Sequence, residues 1–275
     1  MIIQKGPSPL LLNPFNAPIF RCAETESTMD DAWELLECDQ KTAHGTVLWA
    51  GFQTKGRGRF PYRVWLGERD GDCLFTLILH SNEIPKDALP LRVGLAIAEA
   101  LQVSLPELES NMELMPRVKW PNDVMIAGLK VAGVLCEVRQ GCLLIGIGIN
   151  CAVREFPSEL LCRAGTLSGI VKRKISPEKI LEAVLGKLVH RLTITNGYVD
   201  SWKADIETRL YLRGERVSFL TGDPARNEVV EGVLIGLAPD GSIMLELTNP
   251  SRQERFASGE LILEDRVNGN TEPFA

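Results

Sequence analysis

Lys130-Val131-Ala132-Gly133-Val134-Leu135-Cys136-Glu137-Val138, Arg139-Gln140-Gly141, Cys142-Leu143-Leu144-Ile145-Gly146-Ile147-Gly148-Ile149-Asn150 is the stretch on which the fold turns. Two apolar runs of strand length flank a short connector ending in glycine, the pattern of a β-hairpin. In the second run glycine alternates with isoleucine. With a strand period of two, one face is bare backbone and the other buried isoleucine, as a flat ligand lying along the strand requires.

Working outward, Arg117-Val118-Lys119-Trp120 reads as a short strand stopped by the turn residues Pro121-Asn122-Asp123. Further strands are predicted over residues 46–52 and 73–79. Ser27-Thr28 ahead of Asp30, Asp31 and the stripe Ala32-Trp33-Leu35-Leu36 marks a helix start. Pro90 opens a helix through Leu101, Ser176-Pro177-Glu178 opens another to about Leu192, and Val199 to Leu212 forms a third. From Gly214 the chain changes to short β-rich runs, Glu215–Leu220, Glu228–Leu237 and Ser242–Leu247, separated by Thr221-Gly222-Asp223-Pro224 and Pro239-Asp240-Gly241. These predict a small β-barrel or sandwich leaning on the larger part. Helices interspersed with hairpins make the main part α+β rather than doubly wound α/β. The expected division is an extension over 1–20, a catalytic domain over 21–212 and a small β domain over 213–275.

The 275 residues are 45% apolar and 24% charged, with a formal net charge of −6. That balance argues against nucleic acid as the main partner, because such a surface needs clustered positive charge. No apolar run approaches a membrane span, and the proline-rich N-terminus lacks the order of a secretory signal. The seven cysteines are scattered without a C-x-x-C pair, and His44, His80 and His190 are dispersed. The expectation is a cytoplasmic protein with reduced thiols, no disulfides and no structural metal.

The chemistry-bearing segments are spread along the chain. Gln53-Thr54-Lys55-Gly56-Arg57-Gly58-Arg59 follows an apolar run, and its glycines let backbone approach a ligand that guanidinium groups meet from the side. Arg57 and Arg59 stand two apart, so in an extended loop they project to the same side, suited to a carboxylate and a phosphate. The bland reading of such a loop is a solvated basic turn. Ser27-Thr28 offers hydroxyls and helix N-terminal amides for a polar head group, or else a plain N-cap. Gln53 can donate and accept toward a cyclic urea or amide. Trp65 either stacks on a purine or belongs to the core. Lys119, Asn122 and Asp123 place a lysine, an amide and a carboxylate around one turn, for phosphate, Mg²⁺ or an incoming amine, or for a salt bridge and an Asx-turn. Lys130 and Gly133 share the next strand, where the glycine leaves room for a ligand.

Taken in order, Ser27-Thr28, Gln53 to Arg59, Lys119 to Asp123, Lys130 to Gly133 and Gly146 to Asn150 resemble the biotin protein ligase family, in its form without an N-terminal DNA-binding domain. Glu231-Gly232 and Ser258-Gly259-Glu260 resemble that family's small SH3-like terminal domain. The resemblance implies a largely antiparallel mixed sheet flanked by helices, of the class II synthetase and biotin–lipoate ligase kind. It implies ATP-dependent activation of biotin to biotinyl-5′-AMP and transfer to a lysine of a biotin carboxyl carrier domain of a carboxylase. ATP, Mg²⁺ and biotin are the implied small molecules, with Mg²⁺ arriving on ATP and no protein metal site. The implied assembly is a monomer or homodimer.

The same resemblance assigns roles. Arg59, Lys119, Asp123 and Lys130 would serve the chemistry. Ser27, Thr28, Met29, Gln53, Gly56, Arg57, Gly58, Arg59, Lys130, Gly133 and Gly146 would hold biotin. Arg57, Arg59, Trp65, Asn122, Lys130, Gly148 and Asn150 would hold the nucleotide. Three departures from the family pattern stand out. Phe60-Pro61-Tyr62-Arg63-Val64-Trp65 is one residue longer than usual and lacks a glycine, Met29 replaces an asparagine, and Glu264 stands where some members carry a basic residue. The competing readings are a lipoate or octanoate ligase, which the missing arginine-serine-glycine-rich loop disfavours, and a non-catalytic biotin or biotinyl-adenylate sensor. A bifunctional ligase and DNA-binding repressor is rejected, because about 20 residues ahead of Arg21 cannot house a helix-turn-helix.

Overall fold

A computed structural model describes residues 11–39, 41–60, 62–82, 84–193, 201–222, 228–248 and 251–263. Residues 1–10, Pro61, Val199, Asp223-Pro224 and Glu264, to which the sequence-based expectations extend, lie outside them.

Seven strands form the main sheet: β1 Ile19–Cys22, β2 Thr46–Ala50, β3 Cys73–His80, β4 Arg117–Lys119, β5 Asp123–Ile126, β6 Leu129–Arg139 and β7 Cys142–Ile149. Their order is β1-β2-β3-β7-β6-β5-β4. Only β1–β2 is parallel; every other neighbour pair is antiparallel. The β6–β7 hairpin pairs Arg139 with Cys142, so its loop is the two residues Gln140-Gly141, both at positive φ (47° and 77°). That is the geometry that matches the right-handed twist of the strands. Two strands of this sheet are not expected from the sequence. Ile19–Cys22 pairs with β2 across the boundary expected between the extension (1–20) and the catalytic domain, and Asp123 opens β5 rather than only closing a turn.

The helices are α1 Thr28–Cys38, α2 Leu89–Ser104, α3 Pro106–Glu109, α4 Leu167–Val171, α5 Pro177–Leu192 and α6 Trp202–Arg209. The last is shorter than the predicted stretch. On one face of the sheet, α2 and α5 pack into the main apolar core through Leu95, Leu101, Leu181 and Leu188, all 0% exposed. Fully burying each such side chain stabilises by about 1.5–3 kcal/mol. On the other face, Met29, Ala32, Leu35 and Leu36 of α1 cover Leu48, Ile78 and Leu144. The helix spans only part of that face. The rest is left for a cavity.

The C-terminal strands are β8 Arg216–Thr221, β9 Val229–Leu237, β10 Ile243–Thr248, β11 Ser251–Phe256 and β12 Gly259–Ile262. They form an antiparallel sheet in the order β11-β10-β9-β8-β12. It joins the main core directly: the Trp120 indole N–H donates to the Gly241 carbonyl at 3.0 Å, and the Trp120 and Phe219 rings lie 5.7 Å apart.

Candidate active site

A cavity of about 630 Å³ opens on the face of the main sheet that α1 leaves uncovered. Strand register builds its floor. Lys119 pairs with Asp123, Asp123 with Gly133 and Gly133 with Gly148, so one row across β4, β5, β6 and β7 points to the same side. The neighbouring row on that face runs Leu135, Gly146, Thr76 and Leu48. Ile145, Ile147 and Ile149 point the other way, into the core. The alternation read from the sequence therefore holds.

Lys130 reaches this floor for a reason that spacing does not give. It lies three residues from Gly133, an odd number, which in a regular strand puts it on the opposite face. A β-bulge between Val124 and Met125 opposes Met125 with Lys130, leaving Val131 as the extra residue. The bulge re-aims the lysine. Its Nζ then meets Asp123 Oδ1 at 2.7 Å and sits 5.5 Å from the centre of the Trp65 ring. Asp123 is thus engaged by Lys130. Lys119 is only 6% exposed, and burial pushes its ammonium below the usual range, against the pull of Asp123 and Glu260. The Asn122 amide donates to the Val134 carbonyl at 2.7 Å, fixing the turn between β4 and β5.

At one end of the cavity is a chain of hydroxyls and an amide. Thr76 Oγ1 donates to Thr28 Oγ1 at 2.8 Å, and Thr28 donates to Gln53 Oε1 through its backbone N–H at 2.8 Å and its hydroxyl at 3.0 Å. With that oxygen occupied, the Gln53 amide nitrogen is left to donate toward a ligand carbonyl. Met29 packs its thioether against Gly146, where an added Cβ would stand 2.8 Å from the sulfur.

The basic loop forms a small ladder of its own. Trp65 N donates to Gly56 O and Gly58 N to Arg63 O, each at 2.9 Å, and Arg57 bridges Val64. The chain turns after Gly58, so Arg57 and Arg59 do not share a side as an extended loop would have them. Arg57 reaches back to Asp30 on α1 at 2.9 Å, with Glu137 at 3.9 Å. Arg59 reaches forward and donates to the Gly259 carbonyl at 2.6 Å. Burial lowers the Arg59 guanidinium, with Glu260 opposing. Trp65 lies flat against the floor: a Cβ on Gly148 would stand 2.4 Å from its indole, and one on Gly133 2.8 Å. The bare glycine face is therefore covered by Trp65 and Met29.

Two expected site residues do not line the cavity. Ser27 is buried at 1% exposure as the N-cap of α1, without a side-chain cap bond, and Gly56 sits beneath Trp65 and Gln53. The other predicted residues line it together. No group of three or more His, Cys, Asp or Glu side chains suited to a metal occurs among the described residues.

Known proteins share this fold. Residues 22–154 match the model of the Biotin/lipoate A/B protein ligase family. A biotin protein ligase from Aquifex aeolicus, solved with biotin and ATP, superposes with a TM-score of 0.75 and 32% identity, covering 90% of this chain and 98% of that one. The chain belongs to the biotin protein ligase family. The bifunctional ligase/repressor BirA of Bacillus subtilis is 29% identical over 83% of this chain and 72% of its own. The biotin--[acetyl-CoA-carboxylase] ligase of Mycobacterium tuberculosis is 30% identical over 63% and 64%.

Within this member of the biotin protein ligase family, the cavity also has walls that sequence reasoning did not name. Phe156, Leu160 and Ala164 come from the segment after β7, and Leu220 and Glu260 to Ile262 from the C-terminal sheet, with Leu263 just beyond it. Arg63 grips Glu260 through both guanidinium nitrogens, at 2.7 and 2.6 Å, and this pairing raises its pKa. The partner of Arg63 lies 197 residues away and leaves no local signal in the sequence.

Proposed function

We propose that this cavity activates biotin with ATP and passes it to a lysine of a carrier protein. The reading is carried by one observation. The row Lys119–Asp123–Gly133–Gly148, with Lys130 turned in by its bulge, lies beneath Trp65 and the arginine loop. Trp65, seated on the glycines, presents the flat face a base or fused ring would meet, and Lys119 and Lys130 make the site positive where phosphate charge would develop.

In the first step a carboxylate oxygen of biotin attacks the α-phosphorus of ATP, forming the acyl–phosphate bond while the bond to pyrophosphate breaks. Biotinyl-5′-AMP results. In the second step a neutral acceptor lysine attacks the acyl carbon, the amide forms, and AMP leaves with the anhydride electrons. Thr28 and Gln53 would orient the ureido ring. Arg59, Lys119 and Lys130 would stabilise charge building on phosphate oxygens, which preorganised cations do without reorganising at the moment of reaction. Arg57, tied to Asp30, would close the loop over biotin. Trp65 and the loop would exclude water from the adenylate. Asp123 would set the position of Lys130, and Asn150 would serve the nucleotide side. Mg²⁺ would arrive on ATP and screen its β- and γ-phosphates.

The carrier domain of a carboxylase is the acceptor class this chemistry fits. The acidic net charge supports a partner other than nucleic acid. We infer a catalytic unit over 21–212 with an SH3-like unit over 213–275, acting in the cytoplasm as a monomer or homodimer; all seven cysteines are free thiols, and no described helix is long and apolar enough to cross a membrane.

Incubation with ATP, Mg²⁺, biotin and a carrier domain, read by intact mass, tests the reading. A mass gain of one biotinyl group on the carrier is the expected result. Biotin binding with neither that gain nor ATP–pyrophosphate exchange would favour a sensor. Lys130→Ala is expected to abolish pyrophosphate release, and normal release would remove that lysine from the chemistry.

A further inference from the structure

Asp72 and Arg154 form the most enclosed ion pair bordering the cavity, with side chains 0% and 9% exposed. Asp72 stands just ahead of β3 and is held from several directions. Its Oδ1 accepts from Cys151 N at 2.7 Å, and its Oδ2 accepts from Glu68 N at 2.9 Å and from Arg154 Nη1. Burial pushes this carboxyl up and the guanidinium pulls it down, so the charge survives only in company.

The other arm of the guanidinium faces the site. Arg154 Nη2 donates to Asn150 Oδ1 at 2.6 Å and to the Leu66 carbonyl at 3.0 Å, and its Cζ lies over the Phe156 ring, 4.7 Å from the centre. Asn150 in turn donates through Nδ2 to the Gly165 carbonyl at 3.0 Å. One planar fork thus joins the exit of the arginine loop, directly after Trp65, to the end of the glycine strand and to the segment that walls the cavity. None of these contacts touches the Thr28–Gln53–Thr76 end.

We infer that Arg154 is a positioning residue for the nucleotide half of the reaction, acting through Asn150 and through the Leu66 carbonyl behind Trp65, with Asp72 as its anchor. The inference rests on the biotin-adenylating reading given above. A group that locks rotamers behind reacting residues affects the step those residues serve, even without touching substrate. The consequence is asymmetric: ATP use and adenylate retention depend on the fork, while binding of biotin alone does not. Lysine at this position keeps the charge against Asp72 but, as a point donor, does not reproduce the planar fork.

The test compares full-length wild type, Arg154→Lys and Asp72→Asn by ATP–pyrophosphate exchange, biotinyl-adenylate release and biotin calorimetry without nucleotide. For Arg154→Lys, the KM for ATP is expected to rise about tenfold and adenylate release to quicken similarly, with biotin affinity held within about twofold. An unchanged KM and release rate would overturn the inference. So would a loss of biotin affinity equal to the loss in ATP KM, which marks a general scaffold role. Should Arg154→Lys fail to fold by circular dichroism, Asp72→Asn, which keeps the shape and removes the anchoring charge, is measured in its place. The same changes in KM and release support the inference, and their absence overturns it. Wild type that binds biotin but catalyses no exchange overturns the ligase reading itself, and the inference with it. Exchange by wild type with an unaffected variant overturns the role of Arg154 alone.

Discussion

Lys119 shows what a single residue contributes and costs. It is 6% exposed, and burial holds its folded-state pKa below the usual lysine value of 10.5. The unfolded chain therefore binds its proton more tightly. Between the lowered folded value and 10.5 the unfolded state carries more protons, so this residue adds stability as pH rises through that window and costs stability below it. Replacing it with methionine should raise the urea midpoint at pH 7 and flatten the wild-type gain toward pH 10, while adenylation is lost. A variant less stable than wild type at pH 7 would contradict the buried-charge cost. Gly148 carries the opposite lesson. An added Cβ would stand 2.4 Å from the Trp65 indole, the far end of a side chain on a loop. Gly148→Ala should therefore fold normally and lose adenylate formation, measured as melting temperature against pyrophosphate exchange.

The loop of Gly56 to Trp65 is held both along its arms and at its far end. Its two arms pair with each other, and its tip is fastened to the C-terminal sheet by Arg59 on the Gly259 carbonyl and Arg63 on Glu260. Bidentate carboxylate binding gives this contact geometric definition. Arg63 is 47% exposed, so the pair orders a loop more than it stabilises the fold. Glu260→Ala should speed proteolytic nicking between Gly56 and Trp65 and hasten biotinyl-adenylate release, with little change in melting temperature. Nicking at the wild-type rate would show that the loop's own ladder suffices. The same element explains why Arg57 and Arg59 part company. Alternation applies to a straight strand, and this chain turns after Gly58.

At the scale of the molecule, one apolar cluster spans both sheets, taking in Leu95, Val118 and Trp120 with Phe219, Leu234 and Leu245. Trp120 is the joint, 3% exposed and hydrogen-bonded to Gly241 across the boundary. Trp120→Ala should cost about 3–5 kcal/mol, in the range for emptying a buried tryptophan site. Wild-type unfolding should be a single transition whether followed by tryptophan fluorescence or far-ultraviolet circular dichroism. Two separated transitions would mean the C-terminal sheet folds on its own.

The sequence by itself determined the β6–β7 hairpin, the glycine face of β7, the starts of α1 and α5 and the change of character at Gly214, because each depends on local period, turn chemistry or capping. It also carried the family resemblance, through short ordered motifs. It did not determine Ile19–Cys22 or Asp123–Ile126 as strands, since the first follows directly on Pro18 and the second opens within the turn residues Pro121-Asn122-Asp123. Only the tertiary structure decided that Lys130 faces the cavity, because a bulge overrides the period of two. It alone paired Arg63 with Glu260 and Asp72 with Arg154. Those contacts join segments 197 and 82 residues apart, and nothing local in the chain encodes a partner at that distance.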